Sequence, residues 1–138
     1  MFVLDTNVVS ELRRPDQANS LVIAWANGVA LGQQFLSAMT VLELEIGVLR
    51  MERKDKRQGS ELRYWLEQQV LRAFAGRILS MDTAVARRSA GLHAPDPLPD
   101  RDAIIAATAL VHGMTVVTRN VRDFQSTKVS ILNPWLNG

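Results

Sequence analysis

Short apolar runs alternate with longer stretches of helical periodicity along this chain, and that alternation most limits what it can fold into. Phe2-Val3-Leu4, Phe35-Leu36-Ser37-Ala38, Ile78-Leu79-Ser80-Met81, Thr115-Val116-Val117-Thr118 and Val129-Ser130-Ile131-Leu132 are the strand-like runs. Each is short, rich in branched apolar residues and closed by polar or turn residues, which is the pattern of a buried strand. Helical stretches are expected from Thr6 to Arg13, Gln17 to Asn27, Thr40 to Arg57, Ser60 to Ala75, Thr83 to His93, and from Asp100 or Arg101 to His112. Strands joined through helices pair in parallel and need cover on both faces. The expected fold is therefore a single α/β domain over residues 1–138, with a mainly parallel central β-sheet and helices on both faces, an α/β/α sandwich.

Local signals set the element boundaries. Thr6 is expected to cap the first helix, and Arg14-Pro15 to stop it, because a residue before proline avoids the helical region. Thr40-Val41-Leu42-Glu43 matches a capping box. Leu42, Ile46 and Leu49 then form one apolar stripe, with Val41 and Val48 beside it. Gly59-Ser60 breaks that pattern, and Gly76 ends the following helix. Three prolines make Ala94–Pro99 a rigid loop, and Gly113 is a helix terminator.

Composition removes several function classes. The 138 residues include no cysteine and two histidines, His93 and His112. Disulfide frameworks, thiol nucleophiles, iron–sulfur clusters and zinc sites of cysteine or several histidines are excluded or disfavoured. No apolar run reaches the ~18 residues of a membrane span. Met1-Phe2-Val3-Leu4-Asp5 has no basic region ahead of its apolar run, so a cytoplasmic protein without membrane contact is expected. A net charge of +2 permits a nucleic-acid partner without requiring one. Arg50, Arg53, Lys54, Lys56 and Arg57 crowd into one segment, which reads first as a solvated helix end.

In parallel sheets, ligand sites lie beyond the carboxyl ends of the strands. Asp5 ends the first strand, and Glu43 and Asp102 stand in the first turns of helices. Asp123 follows the Thr115–Thr118 strand. Each acid alone has a local explanation as a cap, a dipole partner or a turn residue. Together they face one crevice, where carboxylates repel unless a hard cation gathers them. An all-oxygen set favours Mg²⁺ or Mn²⁺. Such ions suit phosphodiester hydrolysis. Thr6, Asn7, Thr118 and Asn120 stand beside the acids as supporting residues. Arg119 and Arg122 bracket Asn120 as candidate phosphate contacts. Asp100 lies about 200° round a helix from Asp102 and is expected to point elsewhere; Glu45 is likewise off the face of Glu43.

Competing chemistries lack their residues. Asp5-Thr6-Asn7 has no second acid for a dehalogenase-type phosphatase, and Asp5 alone does not make a receiver's acidic pair. There is no P-loop and no dinucleotide fingerprint. Neither histidine is set up for a Ser-His-Asp arrangement.

At these residues the chain resembles PIN-domain ribonucleases of the VapC type. Phe2 to Leu12 resembles the family's first motif and Val41 to Gly47 its second. Asp102 to Leu110 resembles the third, and Thr118 to Phe124 the fourth. The resemblance implies a Mg²⁺- or Mn²⁺-dependent endoribonuclease with one or two ions, acting as the toxin of a type II toxin–antitoxin pair. It implies Asp5, Glu43, Asp102 and Asp123 as the catalytic, metal-binding acids. It also implies an RNA substrate, a homodimer and a cognate antitoxin with a DNA-binding domain. The antitoxin contact is expected on the helices from Thr40 to Arg57 and from Ser60 to Ala75. The alternative from another class is a binding module that joins a DNA-binding antitoxin as co-repressor, with weak or no nuclease activity.

Overall fold

In a computed structural model that describes residues 1–136, five strands form one parallel sheet. The strands are β1 (Phe2–Leu4), β2 (Gln34–Ser37), β3 (Ile78–Leu79), β4 (Thr115–Val117) and β5 (Ile131–Leu132), in the order β3-β2-β1-β4-β5. The first strand is thus the centre of the sheet. Phe2 is in register with Gln34 on one side and Thr115 on the other. The final two positions of the expected 1–138 span lie outside the described residues.

Strand alternation divides the core. Leu4 and Val117 point to one face, among Val8, Val22, Leu36, Val48 and Leu66. Val3 and Val116 point to the other, among Ile105, Ala106, Ala109 and Phe124. The first face is covered by α1 (Thr6–Glu11), α2 (Ser20–Gly28) and α3 (Ala38–Lys54), then α4 (Lys56–Tyr64), a π-helical turn (Trp65–Val70) and α5 (Leu71–Ala73). The opposite face carries α7 (Asp100–His112) and α8 (Val121–Phe124), with α6 (Thr83–Leu92) packed on α7. Every residue of α7 from Asp102 to Ala109 is buried. Its alanines let the helix sit close to both sheet and α6. Gly113, at φ 66°, ends it in the left-handed conformation that glycine adopts without strain.

Several boundaries differ from the sequence expectation. Asp5, not Thr6, caps α1, and the helix ends at Glu11, before Arg14-Pro15 is reached. Asn19 caps α2, which starts at Ser20 and not at Gln17. Ser37 caps α3 by accepting from the Met39 N–H at 3.0 Å, so the Thr40–Glu43 capping box does not form. The helix starts straight off β2, and Thr40 is buried within it. Gly59-Ser60 does not break a helix. Asp55 caps α4, and Gly59 lies inside it against α3. A Cβ on Gly59 would stand 2.5 Å from the Glu52 Cα, so glycine here permits close helix approach. Arg63 clips the pair by binding Glu45 at 2.6 Å and Glu52 at 3.0 Å. The stripe Leu42, Ile46, Leu49 is also not core: the three are 51%, 38% and 49% exposed, while Leu44 and Val48 face inward. The short helix α8 between β4 and β5 was not anticipated.

Candidate active site

Parallel pairing places the carboxyl ends of β1, β2 and β4 side by side, and the residues that leave those ends build the site. Asp5 follows β1 and is fully buried. A buried carboxylate is tolerable only when its oxygens are satisfied, and these are. Oδ1 accepts from the Thr6 N–H at 2.7 Å, and Oδ2 accepts from Thr118 Oγ1 at 2.8 Å and Asn7 Nδ2 at 3.2 Å. Thr118 follows β4 and is itself fully buried. Its hydroxyl also accepts from the Asn120 N–H at 3.0 Å, while Asn7 Oδ1 accepts from the Arg119 N–H at 3.2 Å. The turns after β1 and β4 are thus tied together around Asp5.

Glu43 reaches the same place from α3. Thr6 Oγ1 donates to Glu43 Oε1 at 2.6 Å, which occupies the carboxylate that a capping box would have used. Asp102 arrives from the first turn of α7 and is 4% exposed.

The three acids converge on Arg101. Its Nη2 donates to Asp5 Oδ1 at 2.8 Å and to Glu43 Oε1 at 2.8 Å, its Nε donates to Glu43 Oε2, and its Nη1 donates to Asp102 Oδ1 at 2.5 Å. Fork-like pairing with a carboxylate is the strongest contact a guanidinium makes. Burial alone would lower the Arg101 pKa. The hydrogen bond to Glu43 and the charges of Asp5 and Glu43 outweigh that, so the net shift is upward and the cation is secured. Asp102 is also raised, above the value of an ordinary aspartate. Burial raises its pKa, Arg101 opposes this, and the charges of Asp123 and Asp5 add to the rise.

Asp123 is exposed on α8 and makes no carboxylate contact with Arg101; it reaches the cluster through its field on Asp102. Arg122 and Asn120 are exposed beside it. The Arg119 guanidinium lies over the Trp135 ring, 5.3 Å from its centroid. Asp100 turns away to His93 at 3.6 Å, and Glu45 is taken by Arg63. His93 is a structural residue, its Nδ1 accepting from the Leu98 N–H at 3.1 Å to brace the proline loop.

Arg101 is the site residue that sequence reasoning missed. A signal was present: a cation in the first turn of a helix opposes the helix dipole, and a residue that breaks a local rule marks a place to look.

The donor set fits a hard divalent cation. Asp5, Glu43 and Asp102 offer only oxygens and already surround one positive charge. Among the described residues, no three acidic or histidine side chains are arranged so as to hold an ion directly. No buried side-chain nitrogen or oxygen among the described residues lacks a partner in this arrangement.

Comparison with known proteins places the fold in a family. The PIN domain model matches residues 2–129. Toxin FitB of Neisseria gonorrhoeae is 42% identical over 141 aligned positions, covering 98% of this chain and 99% of FitB. VapC ribonuclease Y4jK of Sinorhizobium fredii is 40% identical, with 98% of each chain covered. The solved structure of FitAB bound to a DNA fragment superposes with a TM-score of 0.90 at 38% identity, covering 100% of this chain and 98% of the matched one. The family model, the identity across nearly the whole chain and the shared fold show that the chain belongs to the PIN domain family.

Proposed function

We propose that this protein is a metal-dependent endoribonuclease and the toxin of a toxin–antitoxin pair. The observation that carries the reading is the convergence of Asp5, Glu43 and Asp102 on one cation at the carboxyl edge of a parallel sheet. Similarity to a protein named as a VapC ribonuclease, across 98% of the chain, gives the reaction class. Asp5, Glu43 and Asp102 would hold Mg²⁺ or Mn²⁺, with Asp123 at the rim. A bound ion would supply a Lewis acid and ease deprotonation of water.

The chain's own residues do the rest. Thr118, Asn7 and the Thr6 N–H fix both oxygens of Asp5. Thr6 orients Glu43. Arg122 is exposed beside Asp123, and we assign it to contact RNA phosphates. Arg119 can do so from its seat on Trp135. With water as nucleophile, the products carry a 3′-hydroxyl and a 5′-phosphate.

Two protein partners complete the reading. The exposed Leu42, Ile46 and Leu49 lie along one side of α3, and we assign them to a homodimer contact. An apolar cavity of about 610 Å³ lies beneath α2 and the π-helical turn, lined by residues that include Leu12, Ile23, Trp65 and Phe74. It suits an antitoxin helix, and FitAB on DNA shows a related toxin held in a DNA-bound complex. Among the described residues no helix is long and apolar enough to cross a membrane.

Incubation of the purified protein with mixed tRNA and mRNA tests the enzyme. Cleavage is expected with Mg²⁺ or Mn²⁺, none with EDTA, and a loss of at least about 100-fold in Asp5→Asn, whose fold should persist. Undiminished cleavage by Asp5→Asn would remove the acids from the mechanism. No cleavage under any metal, with no toxicity on expression alone, would leave the co-repressor role.

A further inference from the structure

We propose that Arg101 is a built-in occupant of the cation position, so that a divalent ion binds this protein only by exchange with it. The inference rests on the reading of Asp5, Glu43 and Asp102 as the metal-binding acids. The guanidinium contacts all three, and takes both oxygens of Glu43 through Nε and Nη2. An ion that used those oxygens would meet the guanidinium at every one of these carboxylates.

Four features make the exchange feasible. The Arg101 side chain is 31% exposed, so it has a route to solvent that leaves the buried body of α7 in place. Its position in the first turn of α7 sets it against the helix dipole, so the acids alone keep it inward. The charge balance favours the ion: a guanidinium offsets one of three carboxylate charges, and a divalent ion offsets two. Thr6, Asn7 and Thr118 hold Asp5 and Glu43 from the opposite side and need not move when Arg101 leaves. The arginine thus keeps the metal-free site assembled at the cost of apparent metal affinity.

The test is calorimetric titration of the full chain with Mn²⁺ and with Mg²⁺. Arg101→Met keeps an apolar side chain of similar length and removes the charge. If Arg101 occupies the site nine-tenths of the time, its removal tightens apparent binding about tenfold. Arg101→Lys should fall between Arg101→Met and the wild type. Equal affinity in wild type and Arg101→Met would overturn the exchange and leave the acids as the metal site. Failure of both to bind either ion would instead defeat the metal reading itself, and the exchange with it.

Should Arg101→Met fail to fold, the wild type alone decides. The Arg101 Nε–H cross-peak in nitrogen-15 NMR should be sharp and displaced in EDTA, and should move to the position of a solvated arginine as Mg²⁺ saturates. A cross-peak unchanged at saturating Mg²⁺ would overturn the proposal.

Discussion

Asp5 shows how much of a site can rest on one hydroxyl. The Thr118 Oγ1 donates to Asp5 Oδ2 and accepts from the Asn120 N–H, and both Asp5 and Thr118 are fully buried. Thr118→Val keeps the shape and removes both of these bonds and the one the hydroxyl accepts from Asn7 Nδ2 at 3.3 Å. Leaving buried polar groups unsatisfied costs about 1–3 kcal/mol, which denaturant titration in EDTA should show as a lower midpoint at unchanged slope. If Asp5 holds an ion as proposed, support of this kind is worth roughly 10–100-fold in metal affinity, so the same variant should bind Mn²⁺ more weakly. The acids themselves are legible in the sequence, because an acid at a strand end or in a helix's first turn has a foreseeable place. Arg101 is not. Its role depends on three carboxylates from β1, α3 and α7 meeting in space, which no spacing along the chain expresses.

At the scale of elements, strands read more truly than helix ends. β1 and β4 appear where branched apolar runs predict them, because buried parallel strands need continuous apolar side chains. Caps were less legible: Ser37 and Thr40 both qualify as N-caps, and the short connection from β2 selects the earlier one. Gly59 shows tertiary packing overruling propensity. Gly→Ala within a helix ordinarily stabilises by about 1 kcal/mol. Here the added methyl would press on the Glu52 backbone at 2.5 Å. Overpacking of this kind costs about 1–3 kcal/mol, so Gly59→Ala should lower the thermal midpoint, where an exposed helical glycine would raise it. The outward turn of Leu42, Ile46 and Leu49 has the same lesson. Periodicity identifies an apolar face but not whether sheet or partner covers it.

The molecule pairs a parallel core with two apolar surfaces that its described residues leave open, the outer side of α3 and the cavity beside α2. The face of α3 should close against a second copy. Leu42→Glu combined with Ile46→Glu should give a monomer by sedimentation velocity while the circular dichroism spectrum stays that of the wild type. A dimer that survived both changes would move the contact away from α3. The site lies at the carboxyl edge, and its acids come from α3, α7 and the turn after β1.

The strand order also bears on when the site can assemble as the chain is made. β1 is synthesised first yet sits in the middle, and its second neighbour, β4, begins only at Thr115. Thr118, which completes the setting of Asp5, follows that strand. A growing chain on the ribosome therefore carries its earliest acid unpaired through most of translation. Its sheet cannot close, nor Asp5 gain its full setting, until β4 and Thr118 have been made. Prematurely ended products lacking β4 should therefore show none of the proposed nuclease activity.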